Sequence, residues 1–203
     1  MPKVDLKRSM RRLYFPPAGQ PVLVDVPELS FLRIDGRGDP EAAPYTQAME
    51  ALFAVSFGLK FMIKRLDPED DYTVMPLESL WWSRDQSTFE IEDRSTWRWT
   101  AMVVQPSNVT GSLVERAVAD AAAKRRSPAF RKIRLERFRE GLAAQVMHVG
   151  PYSEELATIE KLHAFIAEHD YPVRGKHHEI YLSDPRRCAP DRIKTVIRQP
   201  VGL

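Results

Sequence analysis

A glutamate in the middle of a predicted strand is the residue whose type and position most suggest chemistry. In the segment HHEIYLSDP, residues 177–185, alternation at period two places His177, Glu179 and Tyr181 on one face of the strand. A lone carboxylate among rings on an interior strand is costly unless a partner or a function compensates for it. Burial would raise its pKa towards the range of a useful general base. Glu179 is therefore predicted to be a general base, the counter-ion of a cationic ligand, or a structural carboxylate paired with an arginine.

Aromatic residues cluster at the ends of the predicted strands. Trp81 and Trp82 end one strand, and Trp97 and Trp99 begin the next. Flat or cationic ligands stack on such rings, although tryptophans also fill ordinary cores. Neighbouring residues of a strand face opposite ways, so at most one of Trp81 and Trp82 points into a given cleft. Three tyrosines lie near other strand and helix ends: Tyr45, Tyr152 and Tyr181.

The elements that must position these residues occur in the same order twice. The first half of the sequence predicts a strand, a helix and two strands, at 30–38, 44–64, 72–82 and 97–106. The second half repeats that order at 142–152, 153–169, 177–185 and 193–200. Both helices are predicted from apolar residues that recur near period 3.6, and Ser153 is the predicted N-cap of the second helix.

The repeated order predicts an α+β fold. Two strand-helix-strand-strand repeats with approximate two-fold symmetry would leave a central ligand cleft where they meet. The predicted layout is an N-terminal extension followed by one domain that holds the first repeat, a helical connector and the second repeat: 1–25, 26–203, 30–106, 107–140 and 141–200.

Composition excludes several classes of protein. A net charge of +2 is too small to predict a nucleic-acid binder, and the basic stretch 124–139 is interpreted as a solvated helix face. A single cysteine, Cys188, excludes an internal disulfide and suits the cytoplasm. The longest apolar run, 51–59, is about half of what a membrane span needs. His177 and His178 point to opposite faces without cysteine partners, so no metal site is predicted.

Six segments carry a resemblance to a known family: FLRIDGRGDP, YTVMPLESLWW, WTAMVVQP, EGLAAQVMHVGPYSEE, HHEIYLSDP and KTVIRQP. Together they resemble the stand-alone GyrI-like proteins, relatives of the DNA gyrase inhibitor, over about residues 10–200. The resemblance implies the fold and the cleft predicted above. In related multidrug-responsive regulators a central glutamate receives cationic aromatic drugs, and Glu179 is similar to it by position. Those regulators add a helix-turn-helix domain that about 20 N-terminal residues cannot hold, so autonomous DNA binding is not expected.

Some stand-alone members hydrolyse cyclopropane-bearing, DNA-alkylating compounds and so protect the cell. By that resemblance, Glu179 would activate water, Tyr181 or Tyr152 would stabilise the developing oxyanion, and Trp81 or Trp82 would hold the flat ligand. The remaining predicted ligand-binding residues are Tyr45, His177, Trp99 and Glu78.

The resemblance thus predicts a cytoplasmic hydrolase that opens a strained cyclopropane by water addition, without a cofactor. Its partner would be an aromatic or cationic small molecule. Two alternatives stay open at this point. One is a protein that binds or sequesters xenobiotics without catalysis, and the other is a protein that interacts with gyrase through a partner surface.

Overall fold

The computed structural model describes residues 4–83 and 94–202, and the chain divides into two compact units. The first unit comprises Met1–Ser9, Leu29–Leu77 and Trp82–Phe138. The second comprises Met10–Glu28, Glu78–Trp81 and Arg139–Leu203. Within the described ranges, no helix has both the length and the apolar character needed to cross a membrane.

The described residues form five α-helices and six β-strands. In chain order they are α1 Leu6–Ser9, α2 Arg11–Tyr14, β1 Val22–Arg37, α3 Ala43–Leu66, β2 Glu78–Trp82, β3 Arg98–Gln105, α4 Gly111–Lys124, β4 Arg134–Val149, α5 Glu155–Glu168, β5 His177–Tyr181 and β6 Lys194–Pro200. Each half of the sequence therefore has a strand, a helix and two strands, as predicted. The α+β class with antiparallel strands is confirmed, and the two-fold relation between the halves stays a prediction.

In the first unit, β1 pairs with β3 in antiparallel register, from Ser30 opposite Gln105 to Arg37 opposite Arg98. Helix α3 packs on β3, and α4 packs on α3. The proline in the first turn of α3 suits that position because its missing N–H has no helical partner there. Buried residues along α3 recur at helical spacing: Ala48, Leu52, Val55, Leu59 and Ile63.

Gly36 and the Trp99 ring approach each other closely near one end of this strand pair. The two residues are direct partners in the β1–β3 register, and Trp99 is 2% exposed. A Cβ on Gly36 would lie 2.1 Å from Trp99 Cζ2, far inside van der Waals contact. The indole also contacts the Tyr45 ring edge to face, with ring centroids 5.1 Å apart. The ring is therefore packed against both Gly36 and Tyr45.

Gly36→Ala is expected to destabilise the protein by about 1–3 kcal/mol or more, because the added methyl must displace a packed indole. Urea unfolding measures this change. Gly111→Ala is the matched control, since a Cβ there meets nothing within 4 Å and the backbone is helical. Equal stability of the two variants would contradict the proposed role of Gly36.

In the second unit, four antiparallel strands form a sheet in the order β2, β5, β6, β4. Helix α5 covers one face of this sheet. Its buried residues Leu162 and Ile166 pack in one apolar cluster with residues of β4 and β6, among them Ala144, Val146 and Ile197. This face carries Glu179, and α5 determines what lies above it.

The start of helix α5 differs from the sequence prediction. Helix α5 begins at Glu155, because Tyr152–Glu154 form a separate 3₁₀ turn after Pro151. Ser153 therefore lies inside that turn and is not the N-cap; Glu154 occupies the N-cap position without a capping side-chain hydrogen bond. The prediction of Ser153 as N-cap was wrong, since the extra turn shifts the start of the helix by two residues.

The predicted helical connector at 107–140 is helical only in part. Helix α4 ends at Lys124, a short 3₁₀ segment covers Pro128–Lys132, and strand β4 already begins at Arg134. Two contacts with β1 fit a strand here. Arg134 Nη2 lies 2.6 Å from Asp35, and the ring of Phe138, four residues further along, contacts the ring of Phe31. Residues four apart in a strand lie on the same face, so both side chains can point towards β1. A basic run that was interpreted as a solvated helix face thus ends in a strand.

Candidate functional site

Glu179 is held by two side chains of its own strand. His177 Nε2 donates to Oε1 at 3.0 Å, and the Tyr181 hydroxyl donates to Oε2 at 2.6 Å. The Trp81 indole N–H in turn donates to the Tyr181 hydroxyl oxygen at 3.1 Å. The Glu179 side chain is 15% exposed, so this chain of hydrogen bonds fixes a carboxylate that solvent still reaches.

The strand geometry explains why these groups meet. Residues 177, 179 and 181 share a face at period two, as predicted from the sequence. In the β2–β5 register Trp81 stands opposite His177, and in the β5–β6 register Tyr181 stands opposite Thr195. Directly opposed residues share a face, so the indole and the threonine hydroxyl lie on the Glu179 side of the sheet.

The pKa of Glu179 is lowered, which differs from the expectation that burial would raise it. Burial does act in that direction, but the hydrogen bond and charge of His177 and the hydrogen bond from Tyr181 outweigh it. Glu179 is therefore ionised at neutral pH. The two donors are the neighbours at i−2 and i+2. The expectation of a raised pKa considered burial alone and left out their hydrogen bonds to the carboxylate.

A second carboxyl group lies near the first. Glu155 opens helix α5 and is 6% exposed, and the charge of Glu179 acts on it. The residue just before this region, Tyr152, contacts Tyr181 edge to face with ring centroids 5.8 Å apart. The start of α5 therefore lies near the part of β5 that carries Glu179 and Tyr181.

Burial raises the pKa of Glu155 to about 8, and the charge of Glu179 adds to the shift. The nearby Thr195 hydroxyl opposes it, but the two groups do not reach hydrogen-bond geometry. Among the described residues, Glu155 Oε1 and Thr195 Oγ1 are buried without a hydrogen-bond partner. The site thus combines an ionised carboxylate with a protonated carboxylic acid at neutral pH, which is the arrangement of an acid–base pair.

Sequence reasoning missed Glu155, although a signal was present. An acidic residue in the first turn of a helix is ordinarily explained by the favourable interaction of a carboxylate with the helix dipole. Glu155 also lies in the apolar stripe of α5, in helical register with Ile159, Leu162 and Ile166 at spacings of four, seven and eleven. A glutamate in that register must face the sheet.

Comparison with known proteins identifies the family. The model of the GyrI-like small molecule binding domain matches residues 19–201. The chain belongs to the GyrI-like family. No curated protein matches the sequence significantly.

Three solved structures of proteins from Listeria innocua are similar over nearly the whole chain. One is described as an uncharacterized conserved protein, with 39% identity, a TM-score of 0.90, and coverage of 98% of this chain and 100% of its own. Two are described as hydrolases. One has 36% identity, a TM-score of 0.85 and coverage of 98% and 100%. The other has 37% identity, a TM-score of 0.87 and coverage of 99% and 100%.

The structure of this GyrI-like chain does not bring all of the predicted site residues together. Trp81, His177, Tyr152 and Tyr181 lie with Glu179 in the second unit, as described above. Three others belong to the first unit: Tyr45 and Trp99, which contact each other, and Trp82. Of the two adjacent tryptophans, Trp81 is therefore the one joined to Glu179 through Tyr181.

Glu78 lies on the opposite face of the same sheet, because it stands opposite Ile180 rather than Glu179. There it accepts from the Tyr14 hydroxyl at 2.7 Å, and His178 Nε2 lies 3.1 Å from it. The other ring nitrogen of His178 donates to Glu140, which also accepts from Arg198 Nη1 at 3.0 Å. These five side chains, called here the buried charge network, are 3% exposed or less. Within the described residues, no group of His, Cys, Asp or Glu side chains is arranged to hold a metal ion.

Glu155→Gln is expected to stabilise the fold by about 3 kcal/mol at pH 7. The folded state keeps a proton on Glu155 up to about pH 8, whereas the unfolded chain releases it near 4.5, so native stability falls as pH rises between those values. Glutamine carries no such proton and escapes the loss. Denaturant unfolding at about pH 4 and about pH 8 measures the difference, which should be small at the lower pH.

The exposed neighbour Glu154 provides the control for this prediction, since Glu154→Gln removes the same charge one residue away. A stability gain in Glu155→Gln that is the same at both pH values would contradict the raised pKa of Glu155.

Proposed function

We propose that this GyrI-like protein binds a flat, electrophilic aromatic compound against the Glu179 face and hydrolyses a strained cyclopropane in it. The observation that carries the proposal is the fixed, ionised carboxylate of Glu179. Each of its oxygens accepts one hydrogen bond from the protein, and each keeps lone-pair capacity for a water molecule. Two relatives at 36% and 37% identity are described as hydrolases, which supports an enzymatic role.

The proposed reaction adds water to a cyclopropane that is conjugated to a dienone. The water oxygen bonds to a ring methylene carbon and gives its proton to Glu179. The carbon–carbon bond of the ring breaks, and its electron pair moves through the dienone to the carbonyl oxygen, which becomes a phenolate. A positioned base contributes about 10²–10⁴-fold to such a step.

The neighbouring rings suit this chemistry in different ways. The Tyr181 hydroxyl already donates to Glu179, so its proposed part is to orient the base. Burial and the neighbouring carboxyl groups, Glu155 and Glu179 first among them, raise the pKa of Tyr152 to about 12, so its hydroxyl remains a proton donor at neutral pH. Trp81, on the same side of the sheet, is 3% exposed and donates to the Tyr181 hydroxyl, so its proposed part is to hold Tyr181 in place behind the ligand.

Incubation with an aryl-fused spirocyclopropyl cyclohexadienone tests the proposal. The expected product is the ring-opened phenol that carries a new primary alcohol, formed faster than in buffer. In oxygen-18 water the label should enter the alcohol and not the phenol, because water attacks carbon. Product formation at the buffer rate would refute the hydrolytic function.

A second candidate function is supported by the charge of the same carboxylate. An ionised Glu179 beside the rings of Trp81, Tyr152 and Tyr181 also suits an aromatic cation. The protein would then sequester cationic xenobiotics without chemistry. Titration with a quaternary aromatic cation, followed by tryptophan fluorescence, distinguishes the two functions: Glu179→Gln should weaken cation binding if this candidate is correct and leave the affinity for neutral ligands unchanged.

A further inference from the structure

We propose that Glu155 is the general acid of the Glu179 site, and that it protonates the substrate oxygen on which negative charge develops while Glu179 takes a proton from water. The inference rests on the proposed hydrolytic function and assigns a role to a residue that the resemblance did not indicate. It makes the two carboxyl groups one catalytic pair with opposite tasks.

The position of Glu155 is the first support. It occupies the first place in the apolar stripe of α5, whose following members Ile159, Leu162 and Ile166 pack aliphatic side chains into the core. Its Oε1 is buried and has no hydrogen-bond partner among the described residues, and neither has the nearby Thr195 hydroxyl. A structural glutamate in such a place normally has its oxygens satisfied. An unsatisfied one at a site is typical of a group that acts on a ligand.

The electrostatic surroundings are the second support. The groups that act on Glu155 are the Glu179 carboxylate from β5 and the Thr195 hydroxyl from β6. Glu179 in turn is bonded by His177 and Tyr181, so its charge is retained at neutral pH. Tyr152, from the turn before α5, is a neutral phenol at neutral pH, because burial and the neighbouring carboxyl groups raise its pKa to about 12. His163 of α5 interacts with His177 and not with Glu155. Glu155 therefore faces one fixed negative charge and keeps its proton.

The electrostatic interaction between the two carboxyl groups determines when Glu155 gives up its proton. When Glu179 receives the proton from water, its charge disappears, and with it part of the effect that holds the proton on Glu155. Glu155 thus becomes a stronger acid at the moment when the carbonyl oxygen becomes a phenolate. It gives its proton to that oxygen and yields the phenol.

The proton balance then closes without another reactant. After the step Glu179 is protonated and Glu155 is ionised, and transfer of the proton from Glu179 to Glu155, directly or through solvent, restores the starting state. The net reaction is the addition of one water molecule to the substrate.

The pH dependence of kcat/KM tests the inference, with the same aryl-fused spirocyclopropyl cyclohexadienone as substrate. Wild-type kcat/KM is expected to fall above about pH 8, as Glu155 loses its proton. Glu155→Gln should lower kcat/KM at neutral pH by about 10²-fold and abolish the fall at alkaline pH. Glu155→Asp keeps an acid and should retain an alkaline limb, while Glu154→Gln, the exposed neighbour, should behave as wild type.

A substrate series separates acid catalysis from a structural role. Substituents that make the product phenol more acidic reduce its need for a proton donor. The deficit of Glu155→Gln relative to wild type should therefore shrink along the series, whereas the deficit of Glu179→Gln should stay constant, because water attack still requires the base. Melting curves confirm that each variant is folded.

The outcomes distinguish this inference from the proposed function. If wild type gives no turnover, the proposed function and this inference both fail. If wild type and Glu154→Gln turn over while Glu155→Gln keeps both the wild-type rate and the alkaline limb, the inference alone fails. A deficit of Glu155→Gln that is uniform across the substrate series also overturns it, since that pattern indicates a structural effect.

Discussion

Glu179→Gln is expected to lower hydrolytic turnover by about 10²–10⁴-fold and to leave the protein folded. Glutamine has the volume of glutamate, and its carbonyl oxygen can still accept from one of the two donors, His177 Nε2 and the Tyr181 hydroxyl. What is lost is the capacity to take a proton from water. The measurement is single-turnover product formation, with Glu168→Gln at the exposed end of α5 as a control for charge.

Three outcomes of this substitution have different meanings, because each role gives the charge of Glu179 a different task. If Glu179 is the base, turnover falls while the affinity for a neutral ligand holds. If it is a counter-ion, the affinity for cations falls and turnover is absent from wild type as well. If it is a scaffold residue, unchanged turnover accompanies a lower melting temperature, and this result would contradict the catalytic role.

The Glu179 face could be predicted from sequence because it depends on period two alone. Three residues at alternate positions of one short strand must share a face, and the structure needs no distant information to place them there. The position of Tyr152 was equally predictable, since it lies in the short segment between strand β4 and helix α5. The order of strands and helices was predictable for the same reason.

The acid in the pair was not predictable in this way. Glu155 approaches Glu179 only because α5 packs on β6, the strand next to β5, and the extra 3₁₀ turn at Tyr152–Glu154 determines which residue begins the helix. The direction of the Glu179 pKa shift could also not be predicted from the sequence. Burial alone predicts a raised pKa, and the sign reverses only when both donors are known to point at the carboxylate.

Glu78 shows most clearly what could not be predicted from the sequence alone. Glu78 was predicted to bind ligand, but the register of β2 against β5 places it on the opposite face of the sheet. A shift of one residue would have reversed that result, and no feature of the segment itself determines the register. The buried charge network that receives Glu78 joins residues as distant in sequence as Tyr14 and Arg198.

The buried charge network should make stability depend on pH at both extremes. Burial alone would raise the pKa of Glu140, but the charges and hydrogen bonds of His178 and Arg198 lower it to about 2. Its contribution is therefore lost as pH falls from about 4.5 towards about 2. The pKa of His178 is raised: burial opposes the shift, but the two carboxylates, Glu140 foremost, outweigh it. Its contribution is lost as pH rises through that raised value.

Removing the arginine of this network is expected to have the largest effect on stability. Arg198 is 2% exposed and satisfies three acceptors: Glu140 at 3.0 Å, Gln145 at 3.0 Å and the carbonyl of Leu13 at 2.7 Å. Arg198→Met should destabilise the protein by about 3–5 kcal/mol, because it removes a permanently charged partner from a buried carboxylate. Urea unfolding at neutral pH gives the value.

A matched control and a double substitution determine whether the charge pair itself carries this effect. Arg186→Met removes the same charge from an ion pair whose arginine side chain is 85% exposed, and it should leave the unfolding midpoint unchanged. The double variant Glu140→Gln/Arg198→Met should lose less stability than the sum of the losses in the two single variants. Each single change leaves one member of the ion pair buried without its partner, whereas the double variant has neither charge. Additive effects would mean that Arg198 stabilises the fold through its carbonyl and amide acceptors and not through Glu140. The same comparison at about pH 3 sharpens the result. The gap in stability between wild type and Arg198→Met should narrow there, because without the arginine the folded variant can protonate Glu140 and so relieve its unpaired charge, whereas Glu140 of wild type, with a pKa of about 2, stays largely ionised.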